Sequence, residues 1–151
     1  MPKIVENKIM NFSAKEIYDL VVDVENYPLF LPWCKNAHIT KHISDANFHA
    51  ELLINFKNIF EKYTSDVVFL QKSASEYFVE ARAIKGPFKN LVNQWKISEI
   101  DHKKTQVEFF LEFEFNSILL TKMLGAIFST ATQKMMNAFE NRAINLYKIH
   151  H

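Results

Sequence analysis

The chain has 151 residues and a formal net charge of +1, with 48% apolar and 23% charged residues. This length suits a single domain over residues 1–151 with a substantial core. Charges of both signs are spread along the chain and the only arginines are Arg82 and Arg142, so we expect no DNA partner. The single cysteine, Cys34, excludes a disulfide framework and favours a reducing compartment, so we expect a cytoplasmic location.

The first elements are predicted to be a strand and a short amphipathic helix. Residues 3–11 alternate loosely between apolar and polar residues, as in a strand. Ser13 and Glu16 have the spacing of a capping box, which marks a helix start. The apolar residues that follow at helical spacing are Ile17, Leu20, Val21 and Val24.

Residues 27–33, which we call the aromatic loop, place Tyr27, Phe30, Leu31 and Trp33 around two prolines. Proline disfavours helix at the preceding residue, so we expect a stiff, tightly turned connection outside any helix or strand. Such connections usually carry polar turn residues. Two explanations are open: the loop closes over the core, or it guards the mouth of an apolar cavity.

The rest of the chain predicts strands followed by one long helix. Apolar residues alternate along residues 48–56, 63–69, 77–83 and 95–97. The alternation is clearest in residues 107–115, where Glu108, Glu112 and Glu114 fall on the opposite, solvated face. From Ser117 to about Lys148 the apolar period becomes helical. We therefore expect an α+β fold in which an antiparallel sheet wraps around a long C-terminal helix.

The motifs of common catalytic and metal sites are absent from the sequence. Two glycines, Gly86 and Gly125, are too few for a phosphate-binding loop, and no G-x-S-x-G motif is present. His38 and His42 lie in an extended pattern, which places them too far apart for one metal ion. Cys34 is expected to be a small buried residue rather than a nucleophile. We predict no catalytic residue and no metal site, and hence a protein that is not an enzyme.

Three ordered motifs resemble one known family. They are D-V-E-x-Y-P-x-F-L-P-W-C at residues 23–34, G-P-F-K-x-L at residues 86–91 followed by Trp95, and F-x-F-x-S-x-L-L at residues 113–120 followed by A-F-x-x-R-A at residues 138–143. This set resembles the START-related family of coenzyme Q-binding proteins and bacterial ribosome-association toxins, within the polyketide cyclase-like superfamily. The resemblance covers nearly the whole chain and implies the helix-grip (START/Bet v 1-like) fold.

The resemblance implies an apolar cavity between the sheet and the long helix, whereas the inward residues by themselves are also consistent with a packed core. The residues expected to bind a ligand are Phe30, Leu31, Trp33, Phe56, Phe69, Trp95, Phe113, Leu124, Phe128 and Met135. The first functional hypothesis is that the protein carries a polyprenyl quinone such as ubiquinone, as a ligand rather than a cofactor, in support of respiration. The alternative is a toxin of a toxin–antitoxin pair that binds the large ribosomal subunit and blocks subunit association. An enzyme of the cyclase or hydrolase type lacks an identifiable acid–base set.

A lipid carrier is expected to contact a membrane transiently, at its inner face. Residues 30–33 of the aromatic loop are the expected docking site, with Lys35 beside them. Further lysines flank three predicted turns and form a basic rim if these turns meet at one end of the sheet: Lys57 and Lys62, Lys85 and Lys89, and Lys103 and Lys104.

Overall fold

The computed structural model describes residues 3–56 and 58–148, without the side chains of residues 56, 126–129 and 148. The described residues form a seven-stranded antiparallel sheet and two α-helices. The strands are β1 (Lys3–Met10), β2 (Cys34–Ser44), β3 (Asn47–Phe56), β4 (Ile59–Gln71), β5 (Glu76–Lys85), β6 (Phe88–Asp101) and β7 (Lys104–Phe115). The helices are α1 (Ala14–Val22) and α2 (Ile118–Ala143), with a 3-10 helix at Val24–Leu29 and a π-helical turn at Ile144–Lys148.

The strand order is β1-β7-β6-β5-β4-β3-β2. Strands β2 to β7 therefore pair consecutively as a meander, and β1 adds to the free edge of β7. Both helices pack on one face of the sheet: Tyr18 of α1 stacks on Tyr77 of β5 (ring centroids 4.5 Å apart), and Phe139 of α2 contacts Trp95 of β6 (5.0 Å). The predicted α+β helix-grip fold is confirmed.

The capping box at the start of α1 is present. The Ser13 hydroxyl accepts from the backbone N–H of Glu16 (3.1 Å), and the Glu16 carboxylate accepts from the N–H of Ser13 (3.0 Å). A third N–H of the helix start, that of Ala14, donates to the Glu99 carboxylate of β6 (2.7 Å). Since free N–H groups at a helix start need acceptors, this bond both caps α1 and attaches it to the sheet.

The aromatic loop differs in part from the expectation. Its first residues belong to the 3-10 helix, which includes Pro28, so the prediction of a connection outside any helix was wrong there. A helix of six residues tolerates proline because few N–H groups take part in its bonds. Tight turns continue after it: Leu31 N–H donates to Tyr27 O (2.8 Å), and Cys34 N–H donates to Leu31 O (3.2 Å).

The alternation along β7 is as predicted. Phe109, Phe113 and Phe115 are each at most 2% exposed on the inner face. On the outer face, Glu112 pairs with Lys3 of β1 (3.3 Å) and Glu114 approaches Lys89 of β6 (3.9 Å). The two histidines considered as metal ligands lie on strand β2 and are exposed. The described residues contain no group of three or more His, Cys, Asp or Glu that could hold a metal ion.

Polar contacts fasten the C-terminal half of helix α2 to β1 and α1. Lys8 of β1 donates to Asn137 (2.7 Å) and pairs with Glu140 (3.0 Å). In the following π-helical turn, the Tyr147 hydroxyl donates to the carbonyl of Glu16 in α1 (3.2 Å). At the other end, the Ser117 hydroxyl caps the helix by accepting from the N–H of Leu120 (3.1 Å). The predicted single helix is therefore an α-helix that ends in a π-helical turn.

Candidate ligand cavity

An apolar cavity of about 90 Å³ lies between the inner face of the sheet, the aromatic loop and the middle of α2. Most of its lining residues are aliphatic or aromatic and come from strands β3 to β7. Among the side chains that the structure describes, the lining residues are Trp33, Ile54, Tyr63, Ala81, Phe88, Leu91, Asn93, Phe109, Leu111, Ala131, Thr132 and Met135.

The strand register explains where the space arises. Ala81 of β5, Asn93 of β6 and Leu111 of β7 are direct cross-strand neighbours and form one row across the inner face. In the adjacent row, Trp95 pairs with Phe109, and these large rings fill the space above them. Above the cavity, α2 presents the small residues Ala131 and Thr132. The cavity exists because Ala81 of the sheet and Ala131 and Thr132 of α2, all with small side chains, face the same space.

Asn93 is a polar side chain that points into the cavity. Its Oδ1 accepts from Trp95 Nε1 (3.0 Å), and its Nδ2 donates to the backbone carbonyl of Phe110 (3.0 Å). These two bonds fix the orientation of the amide, which is the way a buried polar group avoids a desolvation penalty.

Tyr63 is a second polar lining residue, and its ring lies edge-on to Phe88 at 5.2 Å. Burial raises the pKa of the Tyr63 hydroxyl well above its usual range, with a smaller contribution from the nearby Cys34. The hydroxyl is therefore protonated at neutral pH and can donate a hydrogen bond.

Cys34 is buried, as predicted, with 2% of its surface exposed. Burial raises the pKa of its thiol to about 11, although a hydrogen bond with the backbone of Asn36 acts in the opposite direction. Because the thiolate is the reactive form, the protonated thiol is a poor nucleophile at neutral pH.

Of the eight expected ligand-binding residues whose side chains the structure describes, two, Trp33 and Met135, line the cavity. Trp95, Phe113 and Leu124 are at most 3% exposed and belong to the surrounding core without lining the cavity.

The other predicted residues lie elsewhere. Leu31 is 1% exposed and Phe30 is half-buried, with its ring 5.0 Å from that of Phe139. The Arg142 guanidinium lies 5.6 Å from the centroid of the Phe30 ring. Phe69 packs against Tyr18 and Phe48, away from the cavity lining. The side chains of Phe56 and Phe128 lie outside the described residues.

Sequence reasoning placed most strand residues of the lining on the inner face but did not single them out. It selected large apolar residues, whereas the position of the cavity depends on Ala81, Ala131 and the inward Asn93. The sequence feature that could have located the cavity is a small or polar residue at an inward position of a strand whose other inward residues are large.

Comparisons with known proteins agree with this architecture. The family model described as polyketide cyclase / dehydrase and lipid transport matches residues 10–140. The chain is 40% identical over 144 residues to a protein of Rickettsia prowazekii named ribosome association toxin RatA, covering 93% of this chain and 95% of that protein. It is 29% identical over 146 residues to the mitochondrial coenzyme Q-binding protein COQ10 homolog B of Xenopus laevis, covering 94% of this chain but 58% of that protein.

Among solved structures, a START superfamily protein from Mycobacterium smegmatis superposes with a TM-score of 0.83 and covers 97% of this chain and 99% of its own. Its sequence identity is 17%, so this similarity shows the fold alone. The family match spans almost the whole fold, including the cavity and the helix above it. The chain thus belongs to the polyketide cyclase / dehydrase and lipid transport family, on a START-like helix-grip fold.

Proposed function

We propose that this protein binds a polyprenyl quinone, such as ubiquinone, or a similar prenyl lipid, and carries it without chemical conversion. The observation that supports this most is the apolar cavity between the sheet and α2. Each buried methylene contributes about 0.8 kcal/mol, so a few prenyl units bind well without specific polar contacts. The similarity to a protein named as coenzyme Q-binding is consistent with this ligand class.

The size of the cavity sets a condition on the proposal. A volume of about 90 Å³ is below the roughly 300–1,000 Å³ of typical ligand pockets. A prenyl chain therefore requires α2 to move away from the sheet. Because Lys8 and Tyr147 fasten the C-terminal half of α2, we infer that the first half moves.

The head group has a suitable donor in the proposed complex. A quinone carbonyl accepts hydrogen bonds, and Tyr63, whose hydroxyl is protonated, is a lining residue of the cavity. We infer that Tyr63 donates to the head group, whereas the amide of Asn93 already has protein partners.

A carrier rather than an enzyme is supported by the chemistry of the cavity. Its described lining residues include no carboxylate, histidine or lysine, and the buried thiol of Cys34 is protonated at neutral pH. General acid–base or nucleophilic catalysis is usually carried by such groups, and the raised pKa of Tyr63 makes its hydroxyl a poor proton donor at neutral pH.

Filling the cavity tests the proposal. We expect Ala81→Leu to weaken binding of a short-chain ubiquinone analogue at least about tenfold, because three added carbons occupy the space of the ligand. Binding can be measured by quenching of tryptophan fluorescence, since Trp33 lines the cavity. Ala131→Leu fills the same space from α2 and should have the same effect.

The matched control is Ala74→Leu, the same change at an exposed position between β4 and β5. It should bind the analogue as the wild type does, and melting temperatures should show that all variants fold. Unchanged binding by both folded cavity variants would contradict the proposal. Organic extraction of the purified wild type followed by mass spectrometry should additionally recover a prenyl lipid.

A second candidate function is binding to the large ribosomal subunit. Such binding would block association of the two ribosomal subunits. It is favoured by a specific observation: the relative named as a ribosome association toxin is more similar, and covered more fully, than the relative named as coenzyme Q-binding. This function predicts comigration with the large subunit in sucrose gradients at about 100 mM salt. The comigration should decrease steeply as salt rises, since phosphate contacts release counterions. Absence from ribosomal fractions would exclude this candidate.

We propose a cytoplasmic location with transient attachment to the inner face of the membrane, where a prenyl lipid is exchanged. None of the helices in the described part of the chain has the length and apolar character to cross a membrane.

A further inference from the structure

The first turns of α2, residues 118–123, form an exposed apolar surface that we call the α2 tip. Ile118 is 75% exposed, Leu119 68% and Met123 54%. Leu119 and Met123 are four residues apart and so lie on the same side of the helix. Large apolar side chains grouped at this exposure are typical of an interaction site.

Exposed lysines surround the α2 tip. Lys122 belongs to it, and Lys85 and Lys89 flank the turn between β5 and β6. That turn is joined to the start of α2, because the N–H of Asn116 donates to the carbonyl of Pro87 (2.8 Å).

Strand β4 contributes Lys62 to the same end of the sheet. A Cβ on Gly86 would lie only 2.9 Å from the carbonyl of Lys62, so the two strands are in close contact there. The segments 59–62, 84–89 and 114–123 contain four lysines and two glutamates, Glu61 and Glu114. With Glu51, which pairs with Lys62, this end has four lysines and three glutamates and therefore a small excess of positive charge.

These lysines are available for an external anion. Lys62 and Lys89 make long ion pairs with glutamates, at 3.8 and 3.9 Å, and both lysine side chains are more than 60% exposed. Such pairs contribute little and break easily. Lys85 and Lys122 form no ion pair with any residue that the structure describes.

The other lysines expected in a basic rim do not add to it. Lys57 lies outside the described residues. Lys103 and Lys104 lie at the turn between β6 and β7, at the opposite end of the sheet.

The α2 tip is close to the cavity. Phe88 lines the cavity and stacks on Phe115, with 4.6 Å between ring centroids, and Phe115 is three residues before α2. A flat apolar phase in contact with the tip would therefore lie near the cavity and near the half of α2 that we infer to move.

We propose that the α2 tip docks on an anionic phospholipid bilayer, with Ile118, Leu119 and Met123 at the headgroup boundary and the lysines on lipid phosphates. The apolar side chains of the tip match the apolar layer of such a bilayer, and the surrounding lysines match its anionic headgroups. RNA offers phosphates but no apolar layer for three exposed apolar side chains. The reason for docking, exchange of a lipid, rests on the proposed lipid-carrier function. The assignment of the docking surface rests only on the exposed apolar residues and the lysines.

This assignment differs from the sequence-based expectation that the aromatic loop docks. In that loop Leu31 is buried, and Phe30 and Trp33 are half-buried against the core. Of residues 30–33, Pro32 alone is exposed. Leu29 of the loop is 68% exposed, but the α2 tip groups three exposed large apolar side chains, so the loop offers less free apolar surface than the tip.

The test is flotation of the full chain with vesicles of phosphatidylcholine that do or do not contain phosphatidylglycerol. We expect the wild type to float with the anionic vesicles, and Leu119→Ser/Met123→Ser to reduce the bound fraction about tenfold. Lys85→Glu/Lys122→Glu should lose the preference for anionic lipid. The control is Ile100→Ser, which removes a 53% exposed apolar side chain at the opposite end of the sheet and should not change binding.

Two results would overturn the docking proposal: a wild type that does not float, or a Leu119→Ser/Met123→Ser variant that floats like the wild type. If this variant instead loses comigration with ribosomes while the wild type ignores vesicles, the α2 tip is a ribosome surface. Quenching by a short-chain quinone separates this proposal from the proposed function. The quinone should still quench the fluorescence of the Leu119→Ser/Met123→Ser variant. If the wild type floats with vesicles but the quinone does not quench its fluorescence, the carrier function is rejected and the docking surface is retained.

Discussion

Phe139→Ala is expected to lower the free energy of unfolding by about 3–5 kcal/mol, because it removes a buried ring and leaves a cavity. Phe139 is 2% exposed and makes edge-on contacts with Tyr27 (5.5 Å between centroids), Phe30 (5.0 Å) and Trp95 (5.0 Å). It therefore joins α2 to the aromatic loop and to strand β6.

Urea denaturation followed by tryptophan fluorescence measures the effect, as a lower midpoint at an unchanged slope. The control is Met123→Ala on the same helix, where the side chain is 54% exposed and the expected change is within about 0.5 kcal/mol. Equal stability of the two variants would mean that Phe139 is not part of a packed core.

Gly86→Ala is expected to destabilise the protein by about 3 kcal/mol, from backbone strain and overpacking together. Gly86 has φ +128°, which L-residues rarely adopt. An added Cβ would lie 2.7 Å from the Cβ of Tyr63 and 2.9 Å from the carbonyl of Lys62. Since these contacts involve backbone and a Cβ, side-chain rotation cannot relieve them.

Thermal and urea unfolding give the comparison, with Lys103→Ala as the control. Lys103 also has a positive φ, of 50°, but this lies in the left-handed region that tolerates a Cβ, and the expected change is within about 0.5 kcal/mol. A Gly86→Ala protein as stable as Lys103→Ala would show that strands β4 and β5 separate easily at this end.

The two candidate functions use different parts of the molecule. Quinone binding depends on the interior, where Ala81 and Ala131 leave space. Association with a ribosome or a membrane depends on the exterior, where the α2 tip and its lysines are exposed. Substitutions inside the cavity and on the tip therefore test the functions separately.

The elements of the fold were readable from the sequence because each strand buries a single face. In β7 the inward phenylalanines alternate with outward glutamates, and a shift by one residue would reverse the two faces. The capping residues Ser13 and Ser117 similarly mark helix starts through local bonds to nearby N–H groups. The conformational preference of proline was a weaker guide at Pro28. This residue lies inside a short 3-10 helix, next to the packed rings of Tyr27 and Phe30.

The cavity could not be located in this way. A run of inward apolar residues reads the same whether the space above it is filled or empty, so Trp95 and Trp33 were equivalent as sequence but only Trp33 lines the cavity. The exposure of the α2 tip has a related cause: Leu119 and Met123 lie about 100° around the helix from Leu120 and Leu124, and they are exposed whereas Leu124 is 2% exposed. The sequence by itself determined which face of each element is apolar, because that depends on period alone. Only the tertiary structure decided which apolar groups meet a partner, because this depends on the lengths and register of elements far apart in the chain.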